Sequence, residues 1–276
     1  MASLLALGAA LSWGTGDFLG GLATRRVGVL TVLVLSQAIG LAGVALWVVV
    51  ARDAFPGIPE LLPAAAAGIS GVVGLAALYR GFAVGAMGIV APISAAAPLV
   101  PLTVDAAHGI TPGSLQCGVA LVLAGVVTLS REPATLGGRR LAAGAGLSVV
   151  AALGFGGFIV GLDAGSDESA PWAVVAARST SVLVALVAVA LTSAALRPPA
   201  RLWPMLVGVG VFDTGANVSV AFATTKGAAG VVAVLSALYP VVTVVLARFV
   251  LGERLSAARR IGGGVTLAGA ALVAVG

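Results

Sequence analysis

GVVAVLSALYPVVTVVLARFVLGERLSAARRIGGGVTLAG, the stretch from Gly230 to Gly269, decides how the chain is read. A long apolar run carries Tyr239-Pro240 at its middle, and a short charged turn, Gly252-Glu253-Arg254, separates it from a second apolar run. A weaker copy lies half a chain earlier, from Gly88 to Gly125: GIVAPISAAAPLVPLTVDAAHGITPGSLQCGVALVLAG. Setting Gly88 on Gly230 puts Ser94 on Ser236 and Pro98 on Pro240, a spacing of 142. Setting Gly118 on Gly262 brings Leu123-Ala124-Gly125 onto Leu267-Ala268-Gly269, a spacing of 144. An internal duplication with a two-residue difference in the intervening turn accounts for both.

Composition says what solvent the copies face. Sixty per cent of the 276 residues are apolar and 9% are charged, against about 25% charged in a soluble domain. Mean hydropathy is +1.15. One bilayer span takes about 20 residues, so the chain holds ten spans joined by short loops, with no soluble domain left over. The apolar segments run over 3–22, 28–50, 61–79, 88–107, 113–130, 141–162, 171–194, 203–224, 228–250 and 257–275. The first is too long for a secretory signal and has no basic residue before Arg25, so it counts as a span. Pro56, Gly57 and Pro59 break the chain after the second, Pro198-Pro199 after the seventh. Thr111-Pro112 starts the fifth, and Ser256 is a candidate N-cap for the tenth.

Charge gives the orientation. Loops after spans one, three, five, seven and nine, with their flanks, hold twelve Arg; the opposite side holds Arg52 and Lys226 only. Cytoplasmic loops are the basic ones, which puts both termini outside the cytoplasm and the linker 131–140 inside. The Arg residues are spread over loops rather than gathered on one face, so the net charge of +5 reflects topology and not a nucleic-acid partner. With five spans per copy, the second copy enters the membrane upside down. Equivalent loops should then differ in charge: Arg25 and Arg26 follow span one, whereas Asp163, Asp167 and Glu168 follow span six. The expected fold is an all-α integral membrane protein of ten helices in two inverted five-helix repeats, 1–130 and 141–276. Such repeats place a transport site near the bilayer midplane.

Several stretches also carry a family likeness. Trp13-Gly14, Ala77-Leu78-Tyr79-Arg80, Leu235-Ser236-Ala237-Leu238-Tyr239-Pro240 and Leu251-Gly252-Glu253-Arg254-Leu255-Ser256 resemble the EamA family of the drug/metabolite transporter superfamily. The resemblance implies ten helices in two inverted repeats and export of amino acids or other small metabolites, driven by an ion gradient. The first copy departs from it, with His108-Gly109-Ile110 where the second has the Gly-Glu-Arg turn.

Polar groups inside apolar spans are costly unless they face a partner or a cavity. Asp17 lies four residues after Trp13, on one helical face, and Asp213 and Asn217 share a face in the same way. Arg178 sits about a third of the way into span seven, and an offset of 141 sets Gln37 of span two opposite it. Tyr79 and Tyr239 add hydroxyls that want partners when buried. In the functional reading Arg178 binds a substrate carboxylate with Gln37 as a neutral donor, while Asp17 or Asp213 takes a substrate ammonium or cycles a proton. In the bland reading Arg178 forms an ion pair that locks the halves together. Ser94, Ser236 and Thr243 are expected to bond their own helix backbones, and glycines at four-residue spacing (Gly16-Gly20, Gly81-Gly85, Gly157-Gly161) to let helices close on one another.

Absences narrow the class. No phosphate-binding G-x-x-x-x-G-K-[ST] loop occurs, and no His/Cys cluster has metal-ligand spacing. No catalytic residue, metal or cofactor is expected, with proton coupling the one co-substrate allowed. Cys117 reads as a buried structural thiol. The expected protein is a secondary transporter of the plasma membrane, most simply a monomer or weak dimer, whose partners are a small metabolite and the bilayer. The alternatives are a scaffold without transport, which has no reason to keep ionisable groups at mid-membrane depth, and an intramembrane lipid-modifying enzyme, which needs a nucleophile and base that the single His and Cys do not supply.

Overall fold

The computed structural model describes residues 1–83, 94, 96–109, 115–130, 138–192, 194, 196–250 and 257–275. Among these it is helical throughout, without strands. In chain order the helices are α1 (Ala2–Thr24), α2 (Val29–Ala51), α3 (Ile58–Ala83), α4 (Leu99–Ala107), α5 (Leu115–Ser130), α6 (Gly138–Ala164), α7 (Ala170–Thr192), α8 (Trp203–Thr224), α9 (Ala229–Ser236), α10 (Tyr239–Val250) and α11 (Ala257–Val275). Each of the ten apolar segments therefore contains helix. Six stretches are long and apolar enough to cross a bilayer: Val29–Ala51, Ile58–Gly81, Gly146–Ala164, Ala170–Thr192, Ala200–Thr224 and Ala229–Val250.

Helix ends follow local chemistry. Arg52, at the end of α2, takes the left-handed conformation (φ 55), and its N–H reaches the Val48 and Val49 carbonyls. Gly57 holds φ +115 just before α3, where a side chain would also collide with the Glu60 carboxylate. Pro59 lies inside the first turn of α3 rather than in the break before it. A 3-10 turn, Ala200–Leu202, leads into α8, and Pro204 sits in the first turn of α8, where its missing N–H costs nothing. The sixth segment begins three residues early, since Gly138, Arg139 and Arg140 are already in α6.

The ninth segment departs from a continuous span. Its helix stops at Ser236 and restarts at Tyr239, because Pro240 has no N–H to donate to the Ser236 carbonyl and its ring crowds that turn. In the fourth segment, one repeat earlier, a turn over residues 96–98 precedes α4, with Pro98 as its N-cap. The Gly252-Glu253-Arg254 turn, Ser256, Thr111-Pro112, Gly85, Gly88, residues 131–137 and the Cys117 side chain lie outside what the structure describes.

Packing is built on small residues. The largest buried cluster joins Ala6, Ala9 and Ala10 of α1 to Ala64 and Ala67 of α3, Leu162 of α6, Ala173 and Val174 of α7, Val220 and Ala221 of α8, and Val232 to Leu235 of α9. All of these lie toward the end of the bundle that carries Met1 and the 225–228 loop. Toward the other end the core splits into smaller groups, one around Leu33, Leu78 and Tyr79, another around Ala23, Val32 and Leu206. Gly74 and Gly154 show how close the helices come: a Cβ on Gly154 would lie 2.6 Å from the Gly74 Cα. The Gly154–Gly157 run thus serves contact between α3 and α6, and α6 stays helical through it.

Candidate functional site

Between these helices lies a cavity of about 100 Å³. Seven of the eight candidate residues line it: Trp13, Asp17, Gln37, Arg178, Asp213, Asn217 and Tyr239. They come from five helices, and two of the pairs shared a helical face in the sequence. Tyr79 is the exception. It is buried at 6% exposure but packs across α1, its hydroxyl 2.8 Å from where a Cβ on Gly20 would stand.

Arg178 is the centre of the polar wall. Its side chain is 4% exposed, and its Nη1 forms an ion pair with Asp213 Oδ2 at 2.7 Å. The same Nη1 donates to Gln37 Oε1, and Gln37 Nε2 donates to Asp213 Oδ2 at 3.4 Å. Gln37 therefore touches the ion pair through both of its amide atoms, with one of its two Nε2 hydrogens directed at Asp213. Arg178 Nε and Nη2 are buried and have no hydrogen-bond partner among the described residues. Nearby, Trp13 Nε1 donates to Asn217 Oδ1 at 3.0 Å, tying α1 to α8. Asp17 stands within electrostatic reach of Asp213, Tyr79 and Tyr239.

The hydroxyl residues divide. Ser236 donates to the Ala233 carbonyl at 3.1 Å, and Thr243 bonds both the Tyr239 and the Gly14 carbonyls at 3.1 Å. Ser94 instead shares a side-chain hydrogen bond with Tyr239, linking the fourth and ninth segments. Sequence reasoning missed the apolar lining: Gly71, Val72 and Leu75 of α3, and Phe155, Phe158 and Ile159 of α6. One signal pointed there. The offset of 141 that joins Gln37 to Arg178 also sets Phe158 in the place of Asp17.

Residues 142–275 match the EamA-like transporter family. The second half of the chain is thus similar to EamA-like transporters. The family is part of the drug/metabolite transporter superfamily. The EamA-like half holds Arg178, Asp213, Asn217 and Tyr239, so half of the candidate residues fall within the matched region. With six stretches among the described residues fit to cross a bilayer, the chain has the make-up of a multi-pass membrane protein, and its match is to transporters. A crystal structure described only as that of a protein superposes with a TM-score of 0.82 over 99% of this chain and 96% of its own, at 21% identity. That likeness speaks for the fold alone. No curated protein matches the chain.

Proposed function

We propose that the chain is a secondary transporter that exports small zwitterionic metabolites such as amino acids across the plasma membrane, by alternating access around Arg178. The observation that carries this reading is the pair of unfilled donors, Nε and Nη2, on a guanidinium buried in a cavity. Leaving such donors unmade is expensive. A carboxylate fits them in the planar two-point geometry that Arg favours. Asp17 then takes the ammonium of the same molecule or a coupling proton.

Reading the chain as two inverted repeats supports the mechanism. Gly68 of α3 lies over the Ala177 carbonyl and Thr180 of α7, and Gly210 of α8 lies over the Ser36 carbonyl and Ile39 of α2. These are one contact made twice, at offsets of 142 and 141. The pairing of α1 with α8 is matched by that of α6 with α3 in the same way. Five helices per copy then make the relation an inverted one. Equivalent residues of two copies related by a two-fold axis touch only where that axis passes. Gln37 and Arg178 are equivalent and touch, which fits a site at the midplane, between the fourth and ninth segments. The distribution of Arg over the loops favours both termini outside the cytoplasm, and ten segments suffice for a pathway in a monomer.

The ion pair to Asp213 at 2.7 Å also favours a second reading, in which Arg178 only locks the halves. Binding and flux of a labelled amino-acid panel in proteoliposomes, with and without a pH gradient, separate the two. Two charge-assisted bonds of about 1.5–3 kcal/mol each make Arg178→Ala lose at least 100-fold in affinity if it binds substrate. A folded Arg178→Ala protein with parental affinity would leave only the lock.

A further inference from the structure

We infer that the cavity selects zwitterions whose remaining substituent is apolar, and that Phe158 sets how large that substituent can be. The inference rests on the carboxylate reading of Arg178 above.

The cavity has two unlike walls. Every charged group comes from α1, α7 and α8. The wall from α3 and α6 presents Val72, Leu75, Phe155, Phe158 and Ile159, with no polar side chain among them. Of the hydroxyls at the cavity edge, Ser181 donates to the Gly68 carbonyl at 2.8 Å and Ser236 to Ala233, while Ser94 and Tyr239, outside α3 and α6, bond each other. A substrate held by its carboxylate on Arg178 and its ammonium on Asp17 turns its third substituent toward this second wall. A charged or amide-bearing substituent there would give up its hydration with no partner in return. An apolar one gains by leaving water.

Size is set by one stacking contact. Phe158 is 8% exposed, and its ring lies so near Gly71 that a Cβ there would meet Cδ2 at 2.8 Å. Gly71 is therefore the recess that lets the ring sit back from the cavity. Adding a methyl to Gly71 pushes the ring forward and shrinks the space; trimming Phe158 enlarges it. The two changes should move selectivity in opposite directions, which a general loss of structure would not do.

The test is competition for binding by the full-length protein in nanodiscs, using glycine, alanine, leucine, phenylalanine, glutamate and lysine as probes. Leucine or phenylalanine should compete at least tenfold better than glycine, glutamate or lysine. Phe158→Ala should raise phenylalanine relative to alanine about tenfold, with Phe158→Leu intermediate. Gly71→Ala should lower phenylalanine relative to alanine. Arg178→Ala should weaken all probes together. If Arg178→Ala does so while the Phe158 and Gly71 variants, folded as judged by gel filtration, keep the parental ranking within twofold, the selectivity assignment is wrong and the carboxylate reading stands. If glutamate or lysine competes as well as leucine, the apolar-wall argument is refuted directly. If no probe competes with any other at the parent protein, the carboxylate reading falls first and takes this one with it.

Discussion

Removing either partner of the Arg178–Asp213 pair should destabilise the protein, and by unequal amounts. The pair is asymmetric in burial, with side-chain exposures of 4% for Arg178 and 24% for Asp213. Asp213→Ala strands a nearly buried guanidinium whose remaining side-chain partner is the Gln37 carbonyl. Breaking a buried pair in this way costs about 3–5 kcal/mol. Arg178→Ala leaves a carboxylate that is a quarter exposed and still accepts from Gln37 Nε2. Solvent screens that charge, so the loss should be about half as large, roughly 1–3 kcal/mol. The double variant Arg178→Ala/Asp213→Ala carries neither stranded charge and should be at least as stable as Asp213→Ala alone. That ordering corresponds to a coupling of about 1–3 kcal/mol. Thermal unfolding of the purified protein in one detergent, followed by fluorescence of its four tryptophans, measures all three variants on one scale. Additive losses, or a larger loss for Arg178→Ala than for Asp213→Ala, would refute the account of which charge the fold holds out of water.

Tyr79 does not line the cavity, so Tyr79→Phe should leave substrate affinity within twofold of the parent; a tenfold loss would put its hydroxyl back in the site. Gly68→Ala and Gly210→Ala each force a methyl into an equivalent helix crossing. Each should cost about 1–3 kcal/mol, and thermal midpoints that differ widely between the two would count against equivalent repeats. At the end of the bundle nearest Met1, Asp105 Oδ2 accepts from the Gly230 N–H at 2.7 Å, fastening α4 to the start of α9. Gly230→Ala would drive a methyl into Leu102 and that carboxylate and should loosen the contact between α4 and α9. If that contact bars the way to the cavity, then in a Cys117→Ser background a Ser236→Cys thiol should react faster with a membrane-impermeant reagent applied from that side. Unchanged labelling would mean that α4 and α9 do not bar the way.

The candidate site was legible in the sequence to the extent that it is charged. A membrane span is apolar by default, so Asp17, Arg178 and Asp213 each announce a partner or a cavity. The helical spacing of Trp13 to Asp17 and of Asp213 to Asn217 then groups them without coordinates. The offset of 141 went further and put Gln37 against Arg178, where the structure has them touching. Tyr79 lies off the cavity lining, and a hydroxyl in a span needs a polar neighbour without needing the cavity. The direction of Gln37 was also hidden, since one amide can serve a ligand or an ion pair equally well. The apolar wall was invisible for a more basic reason. Leu75, Phe155 and Phe158 look like every other lipid-facing or buried residue in their helices, and no energetic penalty marks the few that face inward. In a soluble protein a ring turned to water would stand out; in a bilayer it does not. Sequence reading of such a chain therefore finds the charged wall of a cavity. The apolar wall emerges only when the repeat is used as a ruler, as it is when Asp17 points to Phe158, or when the helices are seen packed.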